Sequence, residues 1–257
     1  NLGLLHSLTL NPTHHTSINS PSWSISTEAI FYLLFPFLAV DFARRWKFQI
    51  ILSFAMIWSG SWLLAACGVA HYPGPGYDGV TIHSYINTHP LSRAFEFILG
   101  MTACHFFLLR RSEARAPGAR ATLIEVFWLL ASLLASYACV VGYRFFKEDH
   151  RTLASWLRYS GGSLAFSGLI YAYAREEGAL SRALRHKVLV YLGEISFSLY
   201  MVHQLVLRYY EAHDKTFFGL SKGLELLIYL ALCLAASAGL HEWVETPARK
   251  WIFKRRV

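Results

Sequence analysis

The chain has 257 residues, 54% of them hydrophobic and 16% charged, with a net charge of +8. That balance excludes an ordinary soluble domain, which carries more charge and fewer apolar residues. The positive charges stand in separate clusters between apolar runs, so they exclude a nucleic-acid surface and call for a topological explanation.

In chain order, the segment from Asn1 to Ser22 holds no Lys or Arg and lacks the basic start and apolar stretch of a secretory leader. Starting on Asn, it reads as the edge of a piece cut from a longer protein. Its His14 and His15, with Asn11 and Asn19, suit a solvated loop or contacts to a sugar. The first predicted span, Trp23 to Val40, opens on Ser22-Trp23-Ser24-Ile25-Ser26-Thr27-Glu28. Pro21 and the serines suit a helix start, and a first-turn Glu is favoured by the helix dipole. Glu28 also stands near hydrocarbon, where an ionisable group needs a partner or a polar cavity.

Arg44, Arg45 and Lys47 precede the second span, Phe48 to Ala70, which has no Asp, Glu, Lys or Arg. It is long enough to cross a hydrocarbon core of roughly 30 Å. The connection from His71 to Pro90 has no Lys or Arg, and its Pro73, Gly74, Pro75 and Gly76 are turn chemistry. The third span, Leu91 to Leu109, puts Arg93 and Glu96 on one helix face in its outer half. They suit either a structural ion pair or a charged site that binds substrate or stabilises a developing anion.

Arg110, Arg111, Arg115 and Arg120, with Pro117 and Gly118, form a solvated basic connection, a topology determinant or a contact for an anionic donor such as a coenzyme. The fourth span runs from Ala121 to Phe145. The fifth, Tyr159 to Ala174, is short and contains Gly161, Gly162 and Gly168, so it is expected to be tilted, broken or closely packed. After Arg175, Arg182, Arg185 and Lys187 comes the sixth span, Val188 to Tyr210. Helical spacing puts its Gly193, Ser196, Tyr200 and His203 on one face, with Arg208 nearer water. The seventh span, Leu224 to Trp243, leads into His241-Glu242-Trp243-Val244-Glu245, which has Glu where a zinc-binding HExxH motif needs its second His, so a metal site is rejected. A basic tail follows, with Arg249, Lys250, Lys254, Arg255 and Arg256.

These segments predict an all-α polytopic bundle of about seven spans, one membrane domain over residues 1–257. The basic clusters occupy alternate connections, so by the positive-inside rule the N-terminus is outside and the C-terminus cytoplasmic. The four cysteines, Cys67, Cys104, Cys139 and Cys233, all fall inside spans without metal spacing and read as small packing residues. Glu28, Arg93, Glu96 and His203 have similar predicted depths, which points to one polar cavity in the outer leaflet.

Four segments, in order, resemble the acyltransferase-3 family. Asn19 to Glu28, with Phe31, Tyr32 and Pro36, resembles its SWS-like turn, Glu and FY pair. Arg93-Ala94-Phe95-Glu96-Phe97-Ile98-Leu99-Gly100 resembles its R-x-x-E-F-x-x-G helix, and Tyr191 to His203 its LGxxSYxLYLxH helix. Val244-Glu245-Thr246-Pro247-Ala248-Arg249 is similar to its terminal E-x-P-x-R.

The resemblance implies an enzyme of the bacterial inner membrane that moves an acyl group, often acetyl, from acyl-CoA to a hydroxyl of an extracytoplasmic polysaccharide or glycolipid, with no permanently bound cofactor. It implies catalytic roles for Glu28, Arg93, Glu96 and His203, and substrate contacts for Ser22, Trp23, Ser24, Ser196, Tyr200 and Arg208. Glu245 and Arg249, near the cytoplasmic end, are expected to form a structural pair, with donor binding as the alternative. Family members have about ten spans and an early basic residue and His in the first, so about three spans are expected upstream and the present residues alone are expected to be inactive. Two other classes fit the composition: a transporter with an intramembrane Arg/Glu/His pathway, and a non-catalytic assembly subunit.

Overall fold

The computed structural model describes residues 4–15, 19–72, 74, 77–110, 118–212 and 221–254, with side chains through Ile252. Pro73, Pro75, Gly76, Arg111, Arg115, Pro117, Arg255, Arg256 and the Lys254 side chain, named above, lie outside the described residues. The described residues are helical, with no strand among them. After a 3₁₀ turn at His6–Leu8, the helices are α1 Pro12–His15, α2 Ser22–Ala39, α3 Phe42–Ala66, α4 Ile82–Thr88, α5 Pro90–Leu109, α6 Ala119–Phe146 and α7 Arg151–Ser160. They continue with α8 Ser163–Ala174, α9 Ala179–Leu184, α10 Lys187–Glu194, α11 Ser196–Ala212, α12 Lys222–Leu240, a π-helical turn at His241–Glu245, and α13 Thr246–Lys254.

The long helices expose their apolar side chains instead of burying them. Leu33, Phe37, Trp62, Leu134, Phe145 and Leu227 all lie on the outside of the fold. Contiguous apolar surface on this scale has no stable home in water and is what a bilayer covers. Small polar residues point inward instead. Ser53 and Ser61 of α3, Ser132 of α6 and Ser237 of α12 are buried and donate to carbonyls of their own helices, which lets helices approach closely without stranding a hydroxyl.

Of the seven expected spans, five to six are supported among the described residues. Among the described residues, five segments are long and apolar enough to cross a membrane: Ser22–Ala39, Phe42–Ala66, Ile82–Leu109, Ala119–Phe146 and Lys222–Ile252. A sixth is reached by counting α10 and α11 as one span bent by 59°. The fifth expected span is not one continuous helix: the Gly161-Gly162 pair separates α7 from α8, and α8 alone has 12 residues, or roughly 18 Å of helix, too short to cross by itself. Close packing of its glycines is observed. A Cβ on Gly168 would run into the Trp128 ring of α6, and one on Gly161 into Cys139 Sγ.

Local chemistry explains the other ends. The helix α3 closes in a Schellman motif: Gly68 has φ +76°, its N–H bonds to Ala65 O at 2.9 Å, and Val69 N–H bonds to Leu64 O at 3.0 Å. Thr81 caps α4 by accepting from Ser84 N–H at 3.1 Å, and Pro90 begins α5 at the position where a missing N–H costs nothing.

The described residues divide into two compact units: Asn1–Ser17 with Trp23–Ala183, and Ile18–Ser22 with Leu184–Val257. In the first, Ile57, Phe95 and Leu99 form one buried cluster and Ile82, Tyr85 and Ile86 another, and Trp156 of α7 packs against both. A buried polar layer ties the N-terminal segment to this unit. Ser26 Oγ meets Ser7 Oγ at 2.8 Å, Thr27 Oγ1 donates to Thr88 O at 3.0 Å, and His15 Nε2 lies 3.1 Å from Ser84 Oγ. Burial, with help from His83, His6 and His14, lowers the His15 pKa to about 4. His15 is therefore a neutral structural residue and not the solvated loop residue expected. The second unit is built on α11 packed along α12.

Candidate active site

Arg93 is a firmly held charge of the first unit. One turn into α5, its Nη1 donates to Tyr159 O and to Ser160 Oγ, both at 3.1 Å. Glu96 Oε1 lies 2.9 Å from the same nitrogen, and the two side chains are 20% and 23% exposed. Both N–H groups of Nη1 are directed at Tyr159 and Ser160, so the Glu96 contact is an ion pair with no hydrogen bond along it, and Oε1 keeps unused acceptor capacity. The guanidinium also lies over the Trp23 ring, 5.6 Å from its centre. Tryptophan of the first motif and arginine of the second thus meet as a cation–π pair.

Arg93 and Glu96 face a cavity of about 740 Å³ between α5, α6, α7 and α8, whose polar lining includes Ser136, Tyr143, Arg158, Tyr159, Ser163 and Ser167. On its other side Glu96 borders an apolar groove of about 660 Å³, lined by Tyr32, Phe35, Phe42, Phe97, Met101 and His105 among others. The groove reaches Leu108, near the end of α5. One carboxylate therefore stands between a chamber whose mostly apolar wall carries charged and hydroxyl groups and a groove that is almost wholly apolar.

Glu28 is exposed, and its carboxylate accepts from Tyr32 OH at 3.4 Å, so two residues of the first motif engage each other. It does not line the chamber that Arg93 and Glu96 share. Trp23 is half-buried against Arg93, and Ser22 and Ser24, also half-buried, have partners of their own.

In the second unit, the continuous face drawn through Gly193, Ser196, Tyr200 and His203 is corrected. The helix stops at Ile195, so Gly193 and Ser196 lie on opposite sides of the 59° bend, and Ser196 Oγ turns back to Gly193 O at 2.6 Å. Tyr200 OH donates to Pro21 O at 3.2 Å, and Asn19 Nδ2 donates to Met201 O at 3.0 Å, tying the first motif's leading residues to α11. His203 Nδ1 lies 3.3 Å from Leu199 O, and its ring is tilted against Tyr200. Arg208 is exposed and engaged with a partner.

The partners expected of Glu245 are also revised. Its Oε2 accepts from Ser198 Oγ and meets His241 Nδ1, each at 3.1 Å, with no contact to Arg249 among the described residues. The Glu that replaces the second histidine of HExxH thus holds the first one in place. Together they join the third and fourth motif segments.

Three features escaped the sequence reading. Glu125 of α6, 1% exposed, accepts from the N–H groups of Gly178 and Leu180 at 3.0 Å and of Ser181 at 3.3 Å, and from the Ser181 hydroxyl. Tyr159 and Ser160 hold Arg93 from 66 and 67 residues away. His71 and His83 line a second cleft with Arg151 and Arg158. No short-range spacing announces any of these contacts.

A chamber among apolar helices that holds a fixed guanidinium and several hydroxyl groups defines a membrane protein with an intramembrane charged site. Comparison with known proteins gives its family. The acyltransferase-3 model, described as an acyltransferase domain, matches residues 2–242, and the chain belongs to that family. It is similar to "Acyltransferase MdmB" of Streptomyces mycarofaciens, 29% identical over 271 residues, an alignment covering 98% of this chain and 64% of that protein. The chain thus spans less than two thirds of the length of the relative it matches. No solved structure matches.

Proposed function

We propose that the protein is a membrane O-acyltransferase that moves an acyl group, in the simplest case acetyl, from acyl-CoA to a hydroxyl of an extracytoplasmic polysaccharide or glycolipid. The observation that carries this reading is Arg93, fixed by Tyr159, Ser160 and Glu96 where a chamber bearing hydroxyl groups adjoins an apolar groove. Acyl transfer needs a polar acceptor and an apolar acyl chain brought to one cation. The acceptor oxygen attacks the thioester carbonyl, negative charge builds on the carbonyl oxygen, and the thiolate leaves as a base takes the hydroxyl proton. A guanidinium already oriented by three partners stabilises that oxyanion without reorganising.

Glu96 orients Arg93, and its free lone pairs suit a sugar hydroxyl. Trp23 covers the guanidinium, while Ser22, Ser24 and Glu28 serve the acceptor. In the second unit, His203 serves as proton relay or glycan contact, supported by Ser196, Tyr200 and Arg208. Acyl-CoA is a co-substrate that approaches from the Leu108 end of the groove, where the basic sequence that follows α5 suits its phosphates. A bacterial inner membrane suits the family, and the alternating Lys and Arg clusters favour an N-terminus outside and basic connections in the cytoplasm, with α7 and α8 crossing as one broken span.

The test is transfer of labelled acetyl from acetyl-CoA to envelope glycan in membranes holding the full-length gene product. Arg93→Ala and Glu28→Gln should each cut labelling at least a hundredfold. Folded protein must be measured in parallel, since removing one member of a largely buried pair costs roughly 3–5 kcal/mol. Near-normal labelling by both well-folded variants would defeat the assignment.

A further inference from the structure

The chamber at Arg93 has a neighbour. A cleft of about 510 Å³ is lined by His71, Tyr72, His83, Tyr143, Lys147, Glu148, Arg151, Ser155, Arg158 and Tyr159. Tyr143, Arg158 and Tyr159 line both spaces, so the two adjoin through a shared wall. Its charges do not cancel. Lys147 pairs with Glu148 at 3.4 Å, whereas neither Arg151 nor Arg158 is ion-paired among the described residues. Arg158 is held between two rings, 5.1 Å from the centre of Tyr143 and 5.7 Å from that of Tyr159. Such stacking fixes a guanidinium while leaving its in-plane N–H fork open.

The rest of the cleft is aromatic and hydrogen-bonding. Tyr72 and Tyr159 flank His83 at 5.2 and 5.5 Å between ring centres. His71 Nε2 lies 3.3 Å from Ser155 Oγ, and His83 Nε2 lies 3.3 Å from Tyr159 OH. Burial first, and the Arg151 charge second, hold the His71 pKa below its ordinary value, so at neutral pH the ring is an uncharged hydrogen-bonding group. Rings suit the C–H faces of a sugar, hydroxyl and imidazole groups suit its edges, and an open guanidinium fork suits a planar or tetrahedral anion.

We propose that this cleft is an acceptor subsite that selects an acidic glycan, with Arg151 and Arg158 engaging a carboxylate or phosphoryl group on the sugar while a neutral hydroxyl of the same glycan reaches toward Arg93. This rests on the acyltransferase reading for its purpose, but binding alone tests it. The chamber handles an uncharged hydroxyl and the cleft handles a fixed anion, so selectivity and chemistry are carried by different side chains.

The experiment is equilibrium titration of the full-length gene product, purified in neutral detergent, with glucuronate, glucose 1-phosphate and glucose. No acyl donor is added, so failure of acyl transfer and failure of this subsite are read separately. At least one charged sugar should bind ten or more times tighter than glucose, and Arg151→Gln/Arg158→Gln should abolish that difference. Arg158→Lys, which keeps the charge, should restore part of it. If the double variant melts early, Arg151→Gln alone carries the comparison, because Arg151 is exposed. Equal binding of glucose and both charged sugars would overturn the proposal, as would an unchanged preference in a folded variant. Displacement of the charged sugar by micelles doped with phosphatidylglycerol would also overturn it, by making a lipid headgroup the occupant.

Discussion

Glu125 caps a helix from across the fold. The short α9 cannot satisfy its own leading N–H groups, and a carboxylate 53 to 56 residues earlier accepts them. Glu125→Gln keeps the shape but turns one acceptor into a donor facing other donors. We expect a loss of about 1–3 kcal/mol, read as a lower melting temperature in detergent, with greater loss for Glu125→Ala. An unchanged melting temperature in the Gln variant would show that water can replace the cap. At this scale the sequence is legible only where partners are close in the chain. Arg93 and Glu96, three apart, could be paired on sight, but Tyr159 and Ser160 could not, because tertiary packing alone brings them to Arg93.

Among the helices, the close approach of α8 to α6 depends on Gly168 lying against Trp128. Gly168→Ala forces that ring aside and should destabilise by roughly 1–3 kcal/mol. Gly100→Ala, with no atom within 4 Å of the added carbon, should be neutral or gain up to about 1 kcal/mol from helix propensity. Thermal unfolding of the two variants side by side checks the contrast, and equal effects would show that the helices separate freely. Apolar length made the five long segments visible in sequence. The breaks were harder, because a glycine pair signals either a break or a close contact, and Gly161-Gly162 supplies both. The bend at Ile195 was invisible, since Val188 to Tyr210 keeps helical spacing of its polar residues through the interruption.

For the whole molecule, the question is which connections share a side of the bilayer. If the basic clusters mark the cytoplasmic side, the α6–α7 connection is outside and the α9–α10 connection cytoplasmic, which requires α7 and α8 to cross the bilayer together as one broken span. Single cysteines at Asp149 and Arg185, in a background with Cys67, Cys104, Cys139 and Cys233 replaced by Ser, should react differently with a membrane-impermeant maleimide. Position 149 should label on intact cells and position 185 only after lysis. Labelling of both on intact cells would refute the orientation. Within the first unit, Tyr159 gives its backbone carbonyl to Arg93 and its hydroxyl to His83, so one residue takes part in both the chamber and the cleft. Thermodynamic linkage follows from that double attachment. A ligand in the cleft that shifts Tyr159 changes the affinity of the chamber, and a ligand in the chamber changes the affinity of the cleft by the same factor.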